Sequence, residues 1–484
     1  MADGGSAPPP PRRFAARSPS PALFGAGQER SYATSLLPRR EDDGGGGSAR
    51  HRRDETEGAQ GRVNDGQTGG LDVVTFGCRL NAYESDRIAE QASADGVTNA
   101  VVFNTCAVTA EAVRQARQQI RKVRRERPDA RLVVTGCAGQ VDPAAFATMP
   151  EVDLVLGNAD KATPGALLKS GNQVGDVFAA HPPLTSPLPD ASAGETVTER
   201  ARAYVEVQNG CDHRCTFCII PFGRGNARSR APGHVVDEVR GLARAGYAEV
   251  VLTGVDLTSW GAELAGAPQL GDLVGRILDE VAELPRLRLS SIDAAEIDDA
   301  LLDRLARETR LCPHLHLSLQ SGDDLILKRM KRRHSSNDAL ALIERVRSAR
   351  PDTAFGADFI AGFPTETDAM FETTLAFVEA AGLAYLHVFP FSPRPTTPAA
   401  RMPQVARDLV KTRAARLRAA GGAALARHLD RQVGRTTLAL VEQPGRARAA
   451  DFTEIAFDGP SPVGALVPMR ITGHDGRRAL GEIA

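Results

Sequence analysis

Three cysteines spaced as Cys211-Asp-His-Arg-Cys215-Thr-Phe-Cys218 constrain this chain more than any other feature of it. In a C-x3-C-x2-C run, three thiolates can wrap one corner of a cubane and bind three of its four irons. A [4Fe–4S] cluster ordinarily takes four cysteines, so a set of three leaves one iron open to a small molecule. Zinc is the competing metal, but structural zinc sites close with four ligands, usually as paired spacings. His213 could complete such a site only if its ring folded backward from inside the loop. The spacing favours the cluster.

Cys78, Cys106 and Cys137 form a second, more widely spaced set. Each follows a short apolar run: Val73-Val-Thr-Phe76, Val101-Val-Phe103 and Leu132-Val-Val-Thr135. A helix-like segment follows each in turn. Three successive parallel strands would deliver three thiols to one edge of a sheet, outside the carboxyl ends where open α/β sheets gather their ligands. Taken singly, each cysteine reads as a small core residue. Their equivalent positions, flanked by Gly77, Asn104-Thr105 and Gly136, favour a second three-cysteine cluster. Two clusters with open irons point to an enzyme rather than an electron carrier. Cys312, alone before Pro313, reads as core.

The 484 residues are enough for two or three domains, and 42% hydrophobic content suffices for ordinary cores. A net charge of −1 leaves any nucleic-acid contact to local patches. Seven cysteines without even pairing fit a reducing cytosol, so a cytoplasmic location is expected. No apolar run approaches the roughly 18 residues of a membrane span. Residues 1–70, with Pro8 to Pro11, Gly44 to Gly47 and scattered arginines, read as a disordered, dispensable extension. Their arginine and serine content hints at a transit peptide, which Glu41-Asp42-Asp43 and Asp54-Glu55 oppose; an over-extended translation start fits equally.

Strand–helix alternation over 71–165 predicts a parallel α/β domain, with a Pro-, Ser- and Gly-rich linker over 166–200. From 201 to 428 the alternation resumes, with strands expected at 203–208, 249–253, 287–292, 314–319, 353–360 and 384–390. Six such units predict a parallel sheet curled into a partial (βα)6 barrel, open on one side. Residues 429–484 read as short strands at 437–442, 453–457, 465–472 and 478–483 in a small antiparallel β-barrel, an architecture that commonly binds oligonucleotides. The fold class is α/β with this terminal barrel appended.

At this level of detail the chain resembles the radical S-adenosylmethionine (SAM) methylthiotransferases, most closely the bacterial type acting on N6-threonylcarbamoyladenosine in transfer RNA. The resemblance covers about 71–484. It is carried by Thr75-Phe-Gly-Cys-Arg-Leu-Asn-Ala-Tyr-Glu-Ser85, Asn104-Thr-Cys-Ala-Val-Thr109, Thr135-Gly-Cys-Ala-Gly-Gln140 and Asn209 to Pro221. Further carriers are Gly223-Arg-Gly225, Arg228-Ser-Arg230, His316-Leu-Ser-Leu-Gln-Ser-Gly322, Lys328 to Arg333 and Asp358 to Thr367. The terminal barrel looks like the family's RNA-binding TRAM domain. Thr396 departs from the pattern, which has glycine there.

The resemblance implies that the Cys211/Cys215/Cys218 cluster chelates SAM and releases a 5′-deoxyadenosyl radical on one-electron reduction. A C2–H bond of adenine is not acidic, so a general base cannot usefully remove it, whereas hydrogen-atom abstraction can. The Cys78/Cys106/Cys137 cluster, also [4Fe–4S], would carry the sulfur, and the product is a 2-methylthio derivative. Phe217 is expected near the SAM adenine, Thr253-Gly254 near the methionyl amine, and Gln320 and Asp358 near ribose or substrate. The competing readings are a core aromatic for Phe217 and satisfied structural hydrogen bonds for the polar residues. Expected partners are a tRNA anticodon loop, an unidentified sulfur donor and an electron donor such as flavodoxin or ferredoxin, with no membrane.

Basic runs over Arg114–Arg131, Lys328–Arg333 and Lys411–Arg435 suit phosphate contacts, against the alternative of solvated helix faces. With a terminal barrel present, RNA binding is favoured. Two substrate alternatives share the chemistry: an aspartate of a ribosomal protein, or isopentenyladenosine in tRNA. A reading of another class, an iron–sulfur RNA-binding module without catalysis, is opposed by the presence of all six cysteines.

Overall fold

Runs of valine build the first sheet. The computed structural model describes residues 70–161, 163–179 and 200–484, all within one unit spanning Glu55–Ala484. The extension expected before residue 70, and 180–199 of the expected linker, lie outside the described residues. Strands β1 (Leu71–Thr75), β2 (Ala100–Thr105), β3 (Arg131–Thr135) and β4 (Leu154–Val155) pair in parallel in that order. Every residue of β2 is buried, as a parallel strand covered on both faces requires.

The helix Ala110–Glu126 starts where the Thr109 hydroxyl accepts the Ala112 N–H at 3.1 Å, and it buries the stripe Ala116, Ile120 and Val123. Much of its basic run is engaged by the protein. Arg117 donates to the Ala145 carbonyl, Arg124 to the Ala130 and Glu151 carbonyls, and Arg114 and Arg127 pair with Glu111 and Asp72. These arginines brace the sheet rather than form a uniform cationic face. The stretch expected to open a linker at 166 also packs. It forms a 3-10 turn at Ala166–Leu168 and pairs Gln173 with Leu156, because Leu167 and Val177 are apolar anchors that bury.

The next strands are β5 (Ala203–Glu206), β6 (Gln208–Asn209), β7 (Arg228–Ser229), β8 (Glu249–Thr253), β9 (Arg286–Leu289), β10 (Ser291–Ile292), β11 (His314–Gln320), β12 (Ala354–Ala361) and β13 (Tyr385–Pro390). β5-β8-β9 and β10-β11-β12-β13 are parallel sheets, while β6 and β7 pair antiparallel. β9 and β10 share one barrel position, interrupted at Ser290, so six parallel positions form the expected partial barrel. One continuous buried apolar cluster, from Ala203 to Leu417, joins its strands to the helices packed against them.

Strands β14 (Thr436–Gln443), β15 (Arg446–Ala449), β16 (Glu454–Phe457), β17 (Leu466–His474) and β18 (Ala479–Ile483) close a five-stranded barrel in the order β14-β15-β16-β18-β17. Two details differ from the sequence expectation. β15 reads as Arg-Ala-Arg-Ala and is too polar to signal a strand, yet its alanines are buried. β18 inserts between β16 and β17, so it pairs in parallel with β16, while the other pairings are antiparallel.

Buried ion pairs and one aromatic join the two barrels. Glu249, at the start of β8, accepts from Arg288 at 2.8 Å and pairs with Arg202 at 3.0 Å, while Arg202 reaches Glu442 of β14 at 2.6 Å. Arg288 also donates to the Ala450 carbonyl at 3.0 Å, and Phe452 stacks on His314 with 4.6 Å between ring centroids. Removing one partner of a buried charge set is costly because the other charges stay buried without it. Glu249→Gln should therefore lower stability by about 3–5 kcal/mol in chemical denaturation. A loss near the ~0.5 kcal/mol of a surface change would contradict this account. Among the described residues, no helix is long and apolar enough to cross a membrane.

Candidate active site

The loop carrying Cys211, Cys215 and Cys218 leaves β6 and enters the helix Ile220–Arg224. Backbone bonds hold it: Cys211 N to Gly225 O, Cys218 N to Cys215 O and Thr216 N to Met330 O, each at 3.1 Å. The Thr216 hydroxyl adds a bond to the Arg329 carbonyl at 2.8 Å. Arg332 Nη1 lies 3.7 Å from Cys215 Sγ, and Asp256 Oδ2 lies 3.7 Å from Cys211 Sγ. His213 Nε2 meets Asp256 at 2.9 Å and Glu296 at 3.5 Å, and hydrogen bonds to these carboxylates raise its pKa to about 10. Its ring is engaged by carboxylates. Of the Lys328–Arg333 run, Arg332 pairs with Asp293 and Arg333 with Glu296, so both brace this loop.

Cys78, Cys106 and Cys137 follow β1, β2 and β3 and meet at one sheet edge, as the sequence predicted. Gly77, at φ +95, lets the chain pass Cys106: a Cβ there would lie 2.8 Å from Cys106 Cβ and 2.9 Å from its sulfur. Burial pushes the Cys106 thiol up to about 12, with Cys137 and Cys78 adding to the rise. Burial likewise lifts Cys218 to about 12, where Cys215 and Cys137 contribute. The two sets approach through the helix after Cys218: a Cβ on Gly223 would lie 3.2 Å from Cys137 Cβ, and Arg224 Nε donates to Cys137 Sγ at 3.2 Å.

The donor geometry tests which inorganic group fits. Two sulfurs on one zinc are at most about 4.6 Å apart, since Zn–S is about 2.3 Å. Among the described residues, the groups of three donors lying within 4.8 Å of one another are His316/Asp358/His387 and His213/Asp293/Glu296. Neither cysteine set is among them. The N-terminal set also has cationic surroundings in need of an anion. Arg394 Nε, within electrostatic reach of Cys106, is buried without a hydrogen-bond partner, and Arg224 Nε donates to Cys137 Sγ at 3.2 Å.

The remaining expected site residues divide. Phe217 is half-buried and meets Phe363 edge-on at 6.5 Å within a small apolar cluster, so its packing is at least partly core. Thr253 is buried at the end of β8, and its carbonyl accepts the Val207 N–H at 3.0 Å. A Cβ on Gly254 would lie 3.0 Å from Gln208 Oε1, so the chain passes tightly there. Gln320 ends β11 at a register shift, with φ +72. Asp358 is held within the protein: His316 Nε2 and His387 Nδ1 meet its Oδ1 at 3.0 and 3.3 Å. Burial alone would raise its pKa, but the two histidines hold it well below the usual range. Thr396 takes no positive φ, so the loop accepts a side chain where the family pattern has glycine.

Sequence reasoning did not single out Gln208, Arg224 or His387. Gln208 Oε1 accepts the N–H groups of Val255 and Asp256, and its Nε2 donates to Gly210 O, tying the loop after β8 to the cysteine loop. Arg224 stands inside a quoted motif, so its position was visible while its contact with Cys137 was not.

A three-cysteine loop at the carboxyl end of the first strand of a partial parallel barrel defines a radical SAM protein. Residues 205–378 match the model described as the Radical SAM superfamily, and residues 71–157 match Uncharacterized protein family UPF0004. The chain is 45% identical over 403 residues to the threonylcarbamoyladenosine tRNA methylthiotransferase MtaB of Rickettsia prowazekii, covering 83% of this chain and 94% of the relative. The enzyme of the same name from Thermotoga maritima is 36% identical, covering 68% of this chain and 76% of the relative. A tRNA-2-methylthio-N(6)-dimethylallyladenosine synthase of Cereibacter sphaeroides is 35% identical, covering 85% and 98%. The chain belongs to the radical SAM methylthiotransferase family. Membership implies a [4Fe–4S] cluster and SAM.

Proposed function

We propose that this protein converts N6-threonylcarbamoyladenosine in the anticodon loop of tRNA to its 2-methylthio derivative, using two [4Fe–4S] clusters. Cys211, Cys215 and Cys218 hold the SAM-binding cluster, and Cys78, Cys106 and Cys137 hold the second. The observation carrying this reading is the close approach of the two three-cysteine sets, where Arg224 of the helix after Cys218 donates to Cys137 Sγ at 3.2 Å. The 45% identity to the Rickettsia prowazekii enzyme supports the choice of nucleoside over dimethylallyladenosine, whose named relative is 35% identical.

In the loaded enzyme, SAM on the first cluster supplies one-electron chemistry able to break an unactivated C–H bond. The chain's own residues arrange that chemistry. Gln208 and Asp256 fix the loop after β8 beside Cys211. Phe217, next to Cys218 in the chain, is half-buried against the fully buried Phe363. Asp358, clamped by His316 and His387, gives the strands that carry it a rigid polar center.

By this reading, residues 71–165 are the methylthiotransferase domain, 201–428 the radical SAM core and 429–484 an RNA-binding TRAM-like barrel. A target adenine has to leave its stack to reach a barrel interior, which suits a single-stranded loop. The electron donor is of the flavodoxin or ferredoxin class.

Mass spectrometry of nucleosides from bulk tRNA tests the proposal in a deletion strain and its complemented counterpart. The 2-methylthio-threonylcarbamoyladenosine should vanish on deletion and return on complementation. Loss of the 2-methylthio-isopentenyl nucleoside instead would move the enzyme to the other tRNA branch. If neither nucleoside changed, the RNA assignment would fail, and a methylthio-aspartate in ribosomal proteins would be sought.

A further inference from the structure

Arg224 ends the short helix that follows Cys218, yet its side chain serves the opposite cysteine set. Only 3% exposed, it donates Nε to Cys137 Sγ at 3.2 Å. Its two Nη atoms hold both oxygens of Glu84 at 2.8 and 3.0 Å, with further bonds to Asn81 Oδ1 at 2.5 Å and Asn209 Oδ1 at 3.0 Å. Glu84 also pairs with buried Lys161 at 2.6 Å, and Lys161 donates to Asn158 Oδ1 at 2.8 Å. Asn158 closes the ring, with its Nδ2 3.8 Å from Cys137 Sγ and a bond to the Gly223 carbonyl. Gly223 itself leaves no slack, since a Cβ there would stand 3.2 Å from Cys137 Cβ.

Two cations, Arg224 and Lys161, therefore share one carboxylate, Glu84, in a site shut off from water. A second buried carboxylate, Glu206, joins the group through Asn209, whose Nδ2 donates to it at 3.1 Å. The sulfur of Cys137 is the atom that the Nε–H of the Arg224 guanidinium faces. A fixed positive charge beside a metal-bound sulfur stabilises the reduced, more negative state of an iron–sulfur center, because charge and sulfur hydrogen bonds set its potential.

We propose that Arg224 is a positioning residue that raises the reduction potential of the center held by Cys78, Cys106 and Cys137, and that it ties this set to the helix behind the SAM-binding loop. The inference rests on the two-cluster reading above.

The test uses the full chain with Cys211, Cys215 and Cys218 all replaced by alanine, so that only the N-terminal set is loaded. Iron analysis comes first and should give roughly four irons per chain. An EPR-monitored titration with titanium(III) citrate, which supplies the one electron, then gives the midpoint. In this background Arg224→Met should lower the midpoint by at least 59 mV, a tenfold change in the one-electron equilibrium. Arg224→Lys keeps the charge and should stay closer to the parent. A structural ion pair alone would leave the midpoint unmoved. An iron-free parent variant would overturn the two-cluster reading and the inference with it. A loaded Arg224→Met variant with the parent's midpoint would overturn the inference alone. If Arg224→Met fails to load, iron retained at the parent midpoint in Arg224→Lys upholds the role of charge, and loss of iron from both overturns it.

Discussion

Replacing Cys215 with alanine should reduce SAM cleavage by dithionite to background and lower iron from about eight to about four per chain. The reason is geometric. A three-cysteine set has no spare ligand, and His213, the one imidazole within the loop, is committed to Asp256 and Glu296. The loop's shape does not depend on the Cys215 sulfur. The bonds from Thr216 to Met330 and Arg329, and from Cys211 to Gly225, are untouched by the change. The variant should therefore remain folded, with wild-type circular dichroism, while 5′-deoxyadenosine release is lost. Cleavage at the wild-type rate would mean that Cys211 and Cys218 suffice, and the assignment of this loop would fall.

The second large effect separates the two cysteine sets. Cys137→Ala should leave SAM cleavage intact and abolish the methylthio product, again with loss of about four irons. Cys137 is the second residue of the helix Gly136–Val141 after β3 and takes no part in the backbone bonds that hold the Cys211–Cys218 loop. Its loss deprives Arg224 of a sulfur partner, a contact to a charged group worth about 1–3 kcal/mol. The variant should melt somewhat earlier but stay folded, because the Glu84, Asn81 and Asn209 bonds to Arg224 remain. Cleavage without product, read as 5′-deoxyadenosine formed but no 2-methylthio nucleoside in tRNA, is the expected signature. Product at the wild-type level would mean one center performs the whole reaction.

The basic runs show where a linear reading misleads. Arginines of the helix Ala110–Glu126 brace carbonyls and carboxylates of their own sheet. In the later runs, Arg332 and Arg333 secure the cysteine loop, while Arg413 and Arg416 hold Glu366 and Glu372. A charge count along the chain cannot tell a guanidinium aimed at phosphate from one aimed at a carbonyl. Both are spelled the same, and several of the acceptors lie more than 25 residues away.

What the chain determined by itself was local. The spacing of Cys211, Cys215 and Cys218 is a property of eight contiguous residues, and the strands β1 to β3 announce themselves as short valine runs ending just before cysteines. Alternation of strand and helix fixed the parallel sheets, because each strand's burial pattern is written in its own residues. Tertiary structure alone decided that the helix after Cys218 packs against Cys137, that Arg224 crosses from one cysteine set to the other, and that Asp358 is clamped between His316 and His387. It also decided that β18 slots in parallel beside β16. Sequence periodicity constrains how neighbouring residues share a face. The approach of groups separated by 30 to 140 residues depends on how whole layers pack, and no local pattern encodes that distance.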